Sequence, residues 1–296
     1  MKGIILAGGR GTRLYPVTLG TCKQLLPVFD KPLIYYPFAV LMQAGIREVL
    51  IVTTPEDLHR FQALFKDGSQ FGISISYAVQ LEPKGIAEVF VIGADFIGKD
   101  SVCLILGDNI FYGHNIAEVV RPCLDLKEGG IVFGYEVNDP ERYGVIAFDD
   151  DGRIKDIIEK PKDPPSSYAV TGLYFYDNTV IDIAKGLKPS KRGEYEITDV
   201  NVAYLQKRQL SVRLLDRGFA WLDTGTHDAL QKASSYVQTI QERQGIKIAC
   251  LEEIAYQQGF ISFEELEKLA QAASVSEYGH YLQKLCMKSA FTLSSG

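Results

Sequence analysis

The apolar positions of this chain fall in short runs separated by turn residues, and their rhythm changes near residue 130. Residues 2–6 form an apolar run that gives way at once to glycine, which predicts a buried first strand. Residues 32–45 carry a proline at the start and a glycine at the end, the punctuation of a helix. Residues 49–53, Ser74–Val79 and Val102–Leu106 predict further strands, with helices over 56–65 and 86–92 between them. This alternation implies a parallel sheet with helices on both faces.

Beyond residue 130, segments 130–137, 144–149, 153–158 and 169–176 read as strands joined by turns such as Asp150-Asp151-Gly152. Residues 198–206 and 226–241 predict helices. Shorter ones follow over Leu251–Gln257, 262–272 and 278–285, and residues 287–296 read as a loose tail. The expected organisation is an α/β domain over 1–241, with parts at about 1–130 and 131–225, and a helical appendage and tail over 242–296.

Composition narrows the function. With 46% hydrophobic and 23% charged residues, the chain is neither disordered nor of low complexity. No apolar run reaches the ~18–20 residues that span a bilayer, and no signal-peptide pattern opens the chain, so no membrane partner is expected. The five cysteines are odd in number and form no C-x-x-C, which suits a reducing, cytoplasmic setting. The four histidines lack metal-ligand spacing. A net charge of −6 argues against a nucleic-acid partner, although a small anion needs only a few local cations and amides.

The candidate chemistry begins after the first strand, at Ala7-Gly8-Gly9-Arg10-Gly11-Thr12-Arg13. Glycines let successive backbone N–H groups approach an anion. A dinucleotide fingerprint would continue as a helix, but Pro16 forbids one, and Asp30 stands in a proline-bounded loop. Gly93…Gly98-Lys99 imitates a P-loop until Asp100, which lacks the hydroxyl and leads into a strand. A longer pattern is met in full: G-x-G-T-R-L-x-P-x-T over residues 9–18, then K-Q-L-L-P over residues 23–27.

That pattern resembles the signature of the sugar-1-phosphate nucleotidyltransferases. Leu106-Gly107-Asp108-Asn109-Ile110-Phe111-Tyr112-Gly113-His114 is similar to the family's metal-binding loop, and Glu159-Lys160-Pro161 to its sugar-phosphate motif. Segments 168–174, 193–199 and 221–226 match as well, so the resemblance extends from Lys2 to about Tyr281. Arg10, Cys22, Leu81, Lys84 and Tyr195 depart from the usual spelling. The resemblance implies a Rossmann-like nucleotidyltransferase domain with a mostly parallel central sheet, an antiparallel sugar-binding part and C-terminal helices.

The spelling is most similar to members that use dTTP and glucose 1-phosphate with Mg²⁺. It implies nucleotide contacts from Gly8, Gly11, Thr12, Arg13, Lys23, Gln24, Gln80, Gly85 and Asp108. Asp108 and Asp223 would hold the metal. Asn109, Tyr143, Gly144, Glu159, Lys160, Val170 and Tyr174 would form the sugar-phosphate site. Arg13, Lys23, Lys160, Asp108 and Asp223 would carry the catalysis. Read without the resemblance, Asp108 and Asp223 are turn or capping acids, and Gln80 fits thymine or uracil equally well. Both aspartates follow strand-like stretches, where a parallel sheet presents its ligand site. The resemblance also implies a homotetramer under feedback control, with the C-terminal helices and Tyr112-Gly113-His114 as contributors. A phosphate monoester is largely dianionic at pH 7, its second pKa being ~6, so the attacking group needs no base. The absence of a Ser-His-Asp or Cys-His arrangement agrees with that chemistry.

Overall fold

The structure is a computed structural model, and it describes residues 1–9, 11–113 and 115–293. Four mutually parallel strands form one half of the central sheet. Their order across it is Ser74–Val79, Glu48–Thr53, Lys2–Ala7, Val102–Leu106. Burial on both faces explains why the inner three read as nearly unbroken apolar runs. Ile5, Ile51, Cys103 and Ile105 face the helix Tyr35–Ala44, while Ile4, Leu50, Val52, Val102 and Leu104 face the helix Glu88–Ile92.

The strand order reverses at Lys2–Ala7. From there the chain first builds to one side and later returns to the other. The ligand crevice of such a sheet lies beyond the carboxyl ends of the two strands flanking the reversal. The glycine loop and Gly107-Asp108 leave the sheet there side by side, the Gly107 N–H donating to the Leu6 carbonyl at 2.9 Å. A Cβ at Gly107 would stand 2.8 Å from that carbonyl oxygen, so a side chain would push the two exits apart.

The other half of the sheet is built on Tyr168–Tyr176. This strand runs antiparallel to Val102–Leu106 and to Gly130–Glu136, with a register shift between Val170 and Tyr174. Ala169 pairs with Val145 of Gly144–Phe148, which itself pairs with Ile154–Glu159. Leu210–Leu214 adds to Gly130–Glu136 in parallel. A separate antiparallel ribbon joins Asn109–Gly113 to Phe219–Asp223 and sets Asp223 opposite Asn109. Asp108 therefore follows a strand of the parallel sheet as expected. Asp223 does not: it ends a ribbon strand, whose pairing partner is too distant in sequence for local pattern to reveal.

Two other expectations change. The helix expected from Pro32 begins at Tyr35, because Lys31–Pro32 pairs with Pro27–Val28. Pro37 occupies the first helical turn, where no N–H is required, and Gly45 ends the helix at φ 96° as expected. The tail expected over 287–296 is helical through Leu293, as part of Glu277–Leu293. Tyr278, Leu282, Leu285 and Cys286 continue the helical spacing of apolar residues, which outweighs the polar composition nearby. Arg10, His114, Ser294, Ser295 and Gly296 lie outside the described residues.

The C-terminal helices Leu251–Gln257, Phe263–Ala272 and Glu277–Leu293 share a core with the first half of the chain. Leu251, Ala255, Leu266 and Leu282 bury in the same cluster as Phe38 and Phe65. Gly72, at φ +65°, marks one seam, and a Cβ there would fall 2.1 Å from the Phe260 carbonyl oxygen. Gly72→Ala is expected to cost about 2–3 kcal/mol and lower Tm by several degrees. Gly20→Ala, at a position with nothing within 4 Å of the new methyl group, is the near-neutral control. Thermal unfolding of the two variants checks the seam.

Candidate active site

The short turn Lys23–Leu25 carries a lysine that is only 6% exposed, and its Nζ lies 2.5 Å from Asp108 Oδ2. Asn109 Nδ2 donates to the other Asp108 oxygen at 2.8 Å. Burial alone would raise the Asp108 carboxyl, but the Lys23 ammonium and these two hydrogen bonds hold it below the usual carboxylate range. Asp223 goes the other way. Burial, and then the charge of Asp108, push it up despite Lys23, Arg13 and Arg142. Arg142 Nη2 lies 3.4 Å from its Oδ2. Thr224 links the two acids by donating its hydroxyl to the Asp108 carbonyl at 2.8 Å. Arg13 reaches the same place: a Cβ at Gly225 would lie 2.8 Å from Arg13 Nη2 and 3.1 Å from Asp223 Oδ2.

Among the described residues no group of three or more Asp, Glu, His or Cys forms a closed metal cage. Two carboxylates, one of which raises the proton affinity of the other, suit a hard divalent cation that completes its shell with phosphate oxygens and water. The donor set fits such an ion.

Two cavities open from this cluster. One, about 210 Å³, is walled by Gly8, Gln24, Gln80, Gly85 and Asp108. Gln80 is 5% exposed, and its Nε2 donates to the Gly85 carbonyl at 3.2 Å and to Glu88 Oε2 at 2.7 Å. Its donors are thus spent within the protein, leaving Oε1 as an acceptor beside Gly8. Gln24 Nε2 donates to the Gly8 carbonyl at 3.2 Å. Gly11, at φ +56°, and Thr12 shape the glycine loop, the Gly11 carbonyl accepting from the Thr18 hydroxyl at 3.1 Å.

The second cavity, about 270 Å³, is lined by Tyr143, Gly144, Glu159, Lys160, Val170 and Tyr174, with Asn109 and both acids at its edge. Val170 and Tyr174 also belong to the core. Glu159 accepts from the Thr198 hydroxyl at 2.6 Å and meets Lys160 and Arg192, each at 3.3 Å. Lys160 adopts φ 44°, a left-handed conformation that is costly for a side-chain-bearing residue. Its N–H donates to the Tyr143 carbonyl at 2.9 Å. Trp221 Nε1 donates to Asn109 Oδ1 at 2.6 Å, and its ring lies 5.0 Å from that of Tyr143. Cys22 and Gln80 line a further cavity, and burial followed by Asp57 pushes the Cys22 thiol up to about 12, so it stays protonated.

Sequence reasoning overlooked Glu88, Arg142, Arg192, Thr198 and Trp221. The last three stand in or beside motifs that were recognised as segments. Arg142 precedes the chosen Tyr143, but nothing local ties it to Asp223.

The opposite shifts of the two acids predict opposite effects of isosteric substitution. A carboxyl raised by folding makes its ionised form unfavourable at neutral pH, so Asp223→Asn should raise Tm at pH 7 in chelator. That gain should vanish as pH falls through the raised value. A lowered carboxyl contributes stability that is present above its unfolded value, so Asp108→Asn should lower Tm at pH 7, the loss shrinking on acidification. Both variants should lose turnover by on the order of a hundredfold or more. Melting curves and rates across pH 3–8 check both signs.

The model of the nucleotidyl transferase family matches residues 2–240. The glucose-1-phosphate thymidylyltransferase of Neisseria meningitidis serogroup A is 57% identical over 288 residues, 97% of this chain and 100% of that protein. The enzyme of the same name from Mycolicibacterium smegmatis is 57% identical over 285 residues, 96% of this chain and 99% of that protein. A glucose-1-phosphate thymidylyltransferase structure from Bacillus anthracis, in complex with a sucrose, superposes with a TM-score of 0.74 at 45% identity, over 80% of this chain and 94% of that one. A UDP-glucose pyrophosphorylase complexed with UDP-glucose follows at a TM-score of 0.68 and 29% identity, over 81% and 98%. The fold, the paired acids and these matches agree, and the chain belongs to the nucleotidyl transferase family.

Proposed function

We propose that this chain transfers a thymidylyl group from dTTP to α-D-glucose 1-phosphate, giving dTDP-glucose and pyrophosphate, as the first step of dTDP-rhamnose or related deoxysugar synthesis. The observation that carries this reading is the convergence of Lys23, Arg13, Asp108 and Asp223 between a base-sized cavity and a sugar-sized one. Relatives named for this activity, aligned over nearly the whole chain, support the choice of substrates.

The work is positioning and charge neutralisation. An oxygen of the sugar phosphate forms a bond to the α-phosphorus as the bond to the bridging α–β oxygen breaks, and pyrophosphate leaves. Lys160 holds the dianionic sugar phosphate, and Glu159, fixed by Thr198, accepts from sugar hydroxyls. Arg13 and Lys23 hold the triphosphate and take up the charge that moves onto pyrophosphate. Asp108 and Asp223 would hold Mg²⁺, which when bound supplies charge neutralisation at the phosphate oxygens. Arg142 stays beside Asp223 and stacks on Tyr143 at 5.4 Å, setting the edge of the sugar cavity. The catalytic unit is read as 1–241, supported by the end of the family match at residue 240, with 242–296 as a helical appendage. The same reading gives a cytoplasmic homotetramer.

Gln80 offers a base an acceptor, which meets the N3–H of thymine or uracil and repels the bare N3 of cytosine. Pyrophosphate release from four nucleotides and several hexose 1-phosphates tests the assignment. The expected order is dTTP first with glucose 1-phosphate, UTP next, and dCTP at least about a hundredfold lower in kcat/KM. Equal use of dCTP would remove Gln80 from base selection, and no release with any pair would overturn the activity.

A further inference from the structure

Among the described residues, three buried side-chain polar atoms have no hydrogen-bond partner: Gln24 Oε1, Thr171 Oγ1 and Asn201 Nδ2. Folded proteins keep such atoms rare, because each has given up water for nothing in return. Gln24 belongs to the wall of the nucleotide cavity, and Asn201, 1% exposed, to the wall of the sugar cavity. Two of the three therefore belong to residues that line a candidate substrate cavity.

The surroundings of Asn201 fix its amide. The helix Ile197–Gln206 brings Ile197, Thr198 and Asn201 to the cavity, the last two one turn apart. The Thr198 hydroxyl is spent on Glu159. Asn201 Oδ1 accepts from the Tyr176 hydroxyl at 2.5 Å. Tyr176 is itself held between two rings, Tyr174 at 6.2 Å and Tyr204 at 5.3 Å, both nearly parallel to it. With Oδ1 taken by the Tyr176 hydroxyl, the Nδ2 hydrogens remain as unused donors.

We propose that Asn201 is a sugar-recognition residue, whose Nδ2 donates to a hydroxyl of the hexose ring and selects among hexose 1-phosphates. The inference rests on the transferase reading above and deepens it. A site built around a hydroxyl discriminates strongly against an analogue that lacks it, because the protein donor is then left unpaired.

The test is steady-state kinetics on wild type, Asn201→Ala and the double variant Asn201→Ala/Tyr176→Phe. The substrates are dTTP with glucose 1-phosphate and with its 2-, 3-, 4- and 6-deoxy analogues. The second substitution removes the Tyr176 hydroxyl that the first leaves unpaired. The expected result is a KM for glucose 1-phosphate raised about tenfold, the scale of one hydrogen bond, with the KM for dTTP unchanged within about twofold. The penalty should disappear for the one analogue that lacks the partner hydroxyl. The double variant should regain thermal stability while keeping the raised KM. An unchanged KM in Asn201→Ala, an equal penalty on glucose 1-phosphate and all four analogues, or a KM that recovers together with stability would each overturn the role of Asn201. Any of these with an active wild type leaves the transferase reading standing, whereas an inactive wild type brings down both.

Discussion

The site depends on one buried ion pair. A lysine at 6% exposure is tolerated only because a carboxylate meets it, and Lys23 meets Asp108 where the two strands flanking the reversal end. The pair fixes the charge of Asp108 and leaves Asp223 as the acid with the unmet demand. Contacts then pass outward from it. Asn109 holds the second Asp108 oxygen, Trp221 holds Asn109, and Tyr143 packs on Trp221. The two cavities are thereby set with respect to each other by a continuous series of fixed groups.

Most polar groups around the cavities are already committed within the protein. Gln80 gives its hydrogens to Gly85 and Glu88, Thr198 gives its own to Glu159, and Asn201 accepts from Tyr176. Each keeps one end fixed, and in Gln80 and Asn201 the other end is left for a ligand. Preorganisation of this kind lowers the cost of ordering side chains when a ligand binds.

The parallel half of the sheet was legible in sequence because its three inner strands are buried on both faces and all four are bounded by glycine and proline. Lys2–Ala7, Glu48–Thr53, Ser74–Val79 and Val102–Leu106 lie within a residue or two of expectation. The residues of the glycine loop and of Glu159-Lys160 were legible because each motif is compact. What stayed hidden was long-range. The ribbon of Phe219–Asp223 and Asn109–Gly113 has only short, mixed strands, and neither half predicts the other. Arg142 and Glu88 owe their roles to partners that only the fold supplies, and the last helix packs against Phe263–Ala272 and Leu251–Gln257, which precede it in the chain.

The ribbon also bears on how the chain acquires its activity. Asp108 emerges early in synthesis, on a strand whose parallel neighbour Lys2–Ala7 precedes it in the chain, so the Lys23 pair needs no later segment. Asp223 joins only when Phe219–Asp223 zips onto Asn109–Gly113, closing a loop that contains the whole antiparallel half of the sheet. The charge-handling centre, and with it the cavity that Trp221 and Asp223 help to line, is completed only by that closure, and a chain halted before it holds one acid already neutralised by its own lysine.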